Sequence, residues 1–199
     1  MTNFNVLLFD EFETLDAFGP AGIIGKMQNT YNLEYYSIDG GTVLSSQHVS
    51  VNTRSVLDID RNIRSILLIP GGMGTRKLID DNVFISKLNE LSQNSEFVLT
   101  VCTGSVLLAK TGLLQGLAAT SNKRAFNWVC SNAPDVDWIK NARWVNDGKY
   151  YTSSGVTAGM DMTVGFICDI HGDKIALDVC DCVEYIWCRD KNNDPFAVQ

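Results

Sequence analysis

Apolar residues follow two rhythms along this chain. Unbroken runs rich in leucine and β-branched side chains occur at NVLLF (5–9), RSILLI (64–69) and FVLTV (97–101). Runs of that length and composition predict strands covered on both faces. LEYYSI (33–38) predicts a further strand with DGG as its turn, VLSS and VSV (43–51) a small hairpin, and ARWV and KYYTSS a hairpin about the turn NDG. Helical spacing takes over in between. It is found at Asp81–Gln93 (Val83, Phe84, Leu88, Leu91), in SVLLAKTGLL behind Gly104, and in RAFNWVC (124–130), with Ser121 as the expected cap. VTAGMDMTVGFICDI (156–170) is apolar on nearly all sides and predicts a buried helix, and a last helix is expected from Asp173 to Trp187. Pro20 suits the first turn of a helix reaching about Met27, which leaves DEFETLDAFGP (10–20) as a loop and KNNDPFAVQ as an irregular tail.

Strands alternating with helices, with fully apolar central strands, predict an α/β three-layer sandwich around a mostly parallel sheet. The 199 residues, 45% hydrophobic, suit one domain over 1–199. No apolar run approaches the ~20 residues that cross a bilayer. The N-terminus MTNFNVLLFDEF has no basic region of a signal peptide, so a cytoplasmic location is expected. The net charge of −7, with lysine and arginine scattered, argues against a nucleic-acid surface. Six cysteines include no CxxC, and His48 and His171 lie far from any cysteine pair in sequence. No metal site is expected, and Cys180 and Cys182 would point to different sides of a helix.

In open α/β sheets, ligands gather beyond the carboxyl ends of the strands. Three segments with unusual chemistry fall there: the acidic loop after NVLLF, PGG (70–72) after ILLI, and CTG (102–104) after FVLTV. Cys102 stands at a strand-to-helix junction, where small neighbours allow a sharp bend and free backbone N–H groups favour a thiolate. The Gly72 and Thr103 N–H groups could form a two-donor pocket for developing charge. A carboxylate beside a thiolate repels it, so a useful acid must stay protonated. Glu13 and Asp16 are the two candidates in the loop.

Taken together, LLFDEFETLDAFGP (7–20), LLIPGGMGT (67–75), VCTGSVLLAKTGLLQG (101–116), ATSNKRAFNWV (119–129) and YTSSGVTAGMDM (151–162) resemble the ThiJ/PfpI superfamily. The resemblance implies the flavodoxin-like, class I glutamine amidotransferase-like fold. VCTGS with LLQG, LD-x-x-GP and GVTAGMDM resemble the isonitrile hydratase branch. There, by resemblance, Cys102 would attack the isonitrile carbon, Asp16 would be the general acid, and Gly72 and Thr103 would donate from their backbones. No metal or organic cofactor is implied, the partner is a small electrophile, and a homodimer is expected. EFET also resembles the glyoxalase and deglycase branch, in which a glutamate placed as Glu13 is would bond the cysteine.

Asn122 stands where many members carry a histidine, which weakens an amidase or protease reading. With the sequence ending at Gln199, the helix-turn-helix module of the related transcription factors is not expected. A redox sensor acting through Cys102 is the non-enzymatic alternative. Asp161, inside an apolar helix, reads as a hydrogen-bonded buried aspartate, His171 as structural, and the four tryptophans as packing residues.

Overall fold

A computed structural model describes residues 1–197, and eight of its strands form one sheet. The strands are β1 (Thr2–Leu7), β2 (Tyr31–Ser37), β3 (Asp39–Leu44), β4 (Ser50–Ser55), β5 (Ser65–Ile69), β6 (Phe97–Thr100), β7 (Ala118–Ala119), β8 (Asp137–Trp138), β9 (Trp144–Asp147) and β10 (Tyr150–Ser153). The sheet order is β3-β4-β2-β1-β5-β6-β10-β9, and β7 pairs separately with β8. From β4 to β10 the pairings are parallel, while the two edge hairpins, β3–β4 and β9–β10, are antiparallel. All five side chains of β5 are buried, as an apolar run between two helical layers requires.

The helices are α1 (Thr14–Ile24), α2 (Thr75–Leu78), α3 (Asn82–Asn94), α4 (Gly104–Lys110), α5 (Phe126–Asn132), α6 (Thr157–His171) and α7 (Asp173–Cys182). They group as α1 with α6 and α7, and α4 with α2, α3 and α5. This is the expected α/β sandwich with a mostly parallel sheet. Asp81 caps α3 by accepting hydrogen bonds from the Val83 and Phe84 N–H groups. Among the described residues no helix is long and apolar enough to cross a membrane.

Four local expectations are corrected. The acidic loop becomes helical at Thr14, leaving Pro20 inside α1, where its missing N–H forgoes one bond of the ladder. Ser121 does not cap α5. Its hydroxyl donates to the Cys102 carbonyl at 2.8 Å, and Asn122 Oδ1 accepts from the Ala125 N–H at 2.9 Å instead. DGG (39–41) belongs to β3 rather than to a turn. The last helix stops at Cys182, leaving Ile186 93% exposed. The tail is irregular as far as it is described, and Val198 and Gln199 lie outside the described residues.

Asp161 explains why that helix stops. It is 1% exposed in α6 and pairs with Arg143 at 2.6 Å. Its other oxygen accepts from the Tyr185 hydroxyl and the Cys188 N–H, both at 2.8 Å. Trp187 Nε1 donates to the Asp161 carbonyl at 3.0 Å. In a continued helix the Cys188 N–H would be committed to the Glu184 carbonyl and could not donate to the Asp161 carboxylate. His171 likewise has a structural partner, the Tyr31 hydroxyl at 2.7 Å. Removing one member of a buried, hydrogen-bonded ion pair leaves the other charge stranded. Asp161→Ala is therefore expected to cost ~3–5 kcal/mol in urea unfolding, far more than an exposed Asp→Ala change.

Candidate active site

The chain leaves β1, runs to one side of it through β2 to β4, and returns to pair β5 on the other side. The carboxyl ends of β1, β5 and β6 thus lie side by side at the point where strand order reverses, the usual place for a ligand. The three suspect segments follow these three strands.

Cys102 follows β6 with φ +56°, a left-handed conformation that costs a non-glycine residue about 1–3 kcal/mol. Its neighbours hold it there. The Cys102 N–H donates to the Ser154 carbonyl at 3.0 Å. Its own carbonyl accepts from the hydroxyls of Ser121 at 2.8 Å and Ser105 at 3.0 Å. A Cβ on Gly104 would lie 2.4 Å from the Ile69 carbonyl oxygen, so the turn from β6 into α4 closes only around glycine.

The loop after β1 brings Asp16, not Glu13, against the thiol. The Glu13 N–H donates to the Gly71 carbonyl at 2.8 Å, which pins the start of α1 beneath PGG. The Glu13 carboxylate instead accepts from Gln47 Nε2 at 2.9 Å, on the outer surface. Asp16, in the first turn of α1, is fully buried. Its Oδ2 accepts from the Gly71 N–H at 3.0 Å, and its Oδ1 has no hydrogen-bond partner in the protein. Burial pushes its pKa from an ordinary 3.8 up to about 7. The Gly71 N–H opposes that rise, the Glu13 charge adds to it, and a hydrogen bond with Cys102 opposes it.

Burial also pushes the Cys102 thiol up, and the Asp16 charge pushes it further. The Thr103 N–H and hydroxyl and the Arg76 charge pull the other way without overcoming the rise. This corrects the expectation of a resting thiolate: donors at a helix start do not outweigh desolvation and a facing carboxylate. Both groups are therefore held toward their protonated forms, and the pair titrates as a unit whose first proton leaves near pH 7.

Gly72 is also corrected. Its N–H donates to Thr103 Oγ1 at 3.1 Å rather than facing the thiol. Gly71 is the member of PGG that meets the acid. A Cβ there would lie 2.7 Å from the Thr103 nitrogen and 2.9 Å from Asp16 Oδ2. The adjacent glycines hid this division of labour, since either could make a close approach. Sequence reading also missed Arg76, whose guanidinium carbon sits over the Trp128 ring, 4.3 Å from the centroid. Nothing in the pattern of α2 and α5 marked those two residues as neighbours.

A pocket of about 420 Å³ adjoins the elbow through Asn122, Ser154 and Gly155 and carries Lys123, Arg124 and Arg143 on its walls. Among the described residues no group of three His, Cys, Asp or Glu side chains could hold a metal ion.

The layered sheet has counterparts among solved structures. A ThiJ/PfpI family protein from Pseudomonas syringae superposes with TM-score 0.79, over 92% of this chain and 75% of that one, at 23% identity. Drosophila melanogaster DJ-1beta superposes with TM-score 0.77, over 94% of this chain and 99% of that one, at 16% identity. The profile of the DJ-1/PfpI family matches residues 4–168, and the chain belongs to that family.

Isonitrile hydratase of Pseudomonas putida is 27% identical over 168 residues, spanning 83% of this chain and 71% of the hydratase. The HTH-type transcriptional regulator CdhR of Pseudomonas aeruginosa is 28% identical over 178 residues, 84% of this chain. The chain spans about half the length of that regulator, 52%. The family thus includes both enzymes and regulators.

The buried acid has a thermodynamic signature. A carboxyl whose folded pKa is raised keeps its proton from about pH 4 to 7 while the unfolded chain has released it, so stability falls as pH rises through that window. Asp16→Asn removes the charge and keeps an acceptor for the Gly71 N–H. At pH 8 the variant is expected to be more stable than wild type by ~4 kcal/mol, and at pH 4 by almost nothing. Urea unfolding at the two pH values measures this. Equal differences at both would show that Asp16 ionises in the ordinary range.

Proposed function

We propose that this protein is a cysteine-dependent enzyme acting on a small electrophile, with an isonitrile as substrate and an N-formamide as product. The observation that carries the reading is a fully buried Asp16, one carboxyl oxygen unpartnered, set close enough to Cys102 at a left-handed elbow for each to shift the other's titration. Similarity to the Pseudomonas putida hydratase supports it.

The chemistry follows from where the proton sits. The Cys102 sulfur bonds the terminal carbon of R–N≡C while the Asp16 carboxylate takes the thiol proton. Asp16 then returns that proton to the carbon, leaving the thioimidate R–N=CH–S–Cys102. Water adds to the same carbon with Asp16 as base and the nitrogen takes a proton. The C–S bond breaks, R–NH–CHO leaves, and the thiol is restored. Isonitrile plus water gives formamide, with no electrons gained or lost. The Thr103 N–H and hydroxyl stabilise charge on sulfur as the bond breaks. A buried acid with one unpartnered oxygen suits this double duty, because Oδ1 is not committed to a structural bond.

The Gln47 bond to Glu13 disfavours the glyoxalase-like alternative that places Glu13 on the sulfur. A thiol pushed up by burial disfavours a peroxide sensor, which needs a ready thiolate.

Formamide production from an aryl isonitrile tests the proposal. Cys102→Ser and Asp16→Asn are expected to lose about a thousandfold or more in kcat/KM, with Glu13→Gln close to wild type. Because Asp16 must be ionised to accept the proton, kcat/KM should rise with pH and level off above about 7. Turnover that survives Cys102→Ser would sink the mechanism. Loss of methylglyoxal that depends on Glu13 would move the assignment to the glyoxalase-like branch, and binding without turnover of either compound would point to a sensing role.

A further inference from the structure

The chain has seven arginines. Five lie within 4 Å of a carboxylate: Arg54, Arg61, Arg64, Arg143 and Arg189. Among the described residues two have no such partner, Arg124 on the wall of the neighbouring pocket and Arg76, in a protein of net charge −7, and Arg76 is the one whose charge acts on Cys102. It is half-buried, and three constraints hold it. Its face stacks on Trp128 with the guanidinium carbon 4.3 Å from the ring centroid. Its Nη1 donates to Thr75 Oγ1 at 3.2 Å and to the Gly72 carbonyl at 3.4 Å. The Thr75 hydroxyl in turn meets Thr103 Oγ1 at 3.2 Å, one residue from the cysteine. Among the described residues no hydrogen bond occupies its Nε or Nη2. An arginine that is stacked, oriented and left without a counter-ion keeps donors in the fork geometry that matches a carboxylate.

We infer that Arg76 is the charge-selecting residue of this site, favouring electrophiles that carry an anionic group, a carboxylate above all, over neutral ones. The inference rests on Cys102 being the attacking group, and it concerns the substrate class rather than the reaction. The positive charge that Arg76 places near Cys102 also acts on the sulfur, easing the thiol downward against burial. Trp128 serves as the platform: stacking fixes the guanidinium plane and removes rotamers that would otherwise be lost on binding.

Alkylation of Cys102 reads this directly and needs no turnover. Iodoacetamide is neutral and iodoacetate anionic. Each forms an S–CH2 bond and releases iodide while the thiol proton passes through Asp16 to solvent. Rates at Cys102 are followed by peptide mass spectrometry at pH 8, with the exposed Cys182 and Cys188 of the same molecule as references.

The iodoacetate-to-iodoacetamide rate ratio should be higher at Cys102 than at the reference cysteines. Arg76→Gln should lower the ratio at Cys102 about tenfold, the effect of a charge interaction worth ~1.4 kcal/mol. Arg76→Lys, which keeps the charge and loses the planar fork, should retain an intermediate ratio. Continued iodoacetamide labelling of Cys102 certifies that the site is intact. An unchanged ratio in Arg76→Gln would overturn the inference and leave the proposed reaction standing. A Cys102 inert to both reagents would overturn both. If the proposed reaction holds, the kcat/KM ratio between a carboxyphenyl and a phenyl isonitrile should fall in step.

Discussion

A carboxyl group folded into the dark side of a thiol, with one backbone N–H to steady it, is the contact on which the rest of this molecule turns. Burial of Asp16 opposes its ionisation, and Cys102 cannot ionise freely while that acid faces it. Neither group would hold its proton so tightly in water. Confined together they form a unit that gives up its first proton near neutrality and holds the second more tightly. That arrangement costs folding free energy at neutral pH, a pattern expected where function rather than stability has shaped a site.

The scaffold absorbs this cost through fixed geometry around the elbow. Hydrogen bonds from Ser121 and Ser105 to the Cys102 carbonyl, and from the Cys102 N–H to Ser154, over-determine a backbone conformation that a lone cysteine would leave. Glycines at 71 and 104 allow chain segments to approach more closely than any side chain would permit. Asp161, in α6, plays the opposite part. Its charge is fully matched by Arg143, Tyr185 and Cys188, so it anchors the segment beyond α7. Two buried aspartates thus differ by one criterion: Asp161 has a partner for each oxygen, whereas Asp16 keeps one oxygen unpartnered.

Charge is unevenly placed around the site. Five of the seven arginines are paired with carboxylates, whereas Arg76 near Cys102 and Arg124 on the wall of the neighbouring pocket have no such partner among the described residues. A positive field over a cysteine stabilises its thiolate relative to its thiol and draws in anionic reactants. The family contains hydratase and regulator alike, so the fold sets where a ligand meets the sulfur, while side chains such as these decide which ligand.

From the sequence alone came the strand-helix alternation, the parallel centre of the sheet, and the convergence of residues 10–20, 70–72 and 102–104 at one edge. Those features are local, because burial periodicity and strand-to-helix junctions are written in consecutive residues. The sequence also narrowed the acid to Glu13 or Asp16 and could go no further. Both lie in one loop, and a shift of a single helical turn exchanges their roles. Only the tertiary structure decided that the helix begins at Thr14, turning Asp16 inward under the Gly71 N–H and Glu13 outward to Gln47. It alone buried the Cys102 thiol against Asp16, stopped the last helix short so that Tyr185 and Cys188 reach Asp161, and laid Arg76 on Trp128. Each of these depends on desolvation or on contacts between residues far apart in the chain, quantities that no local pattern of residues contains.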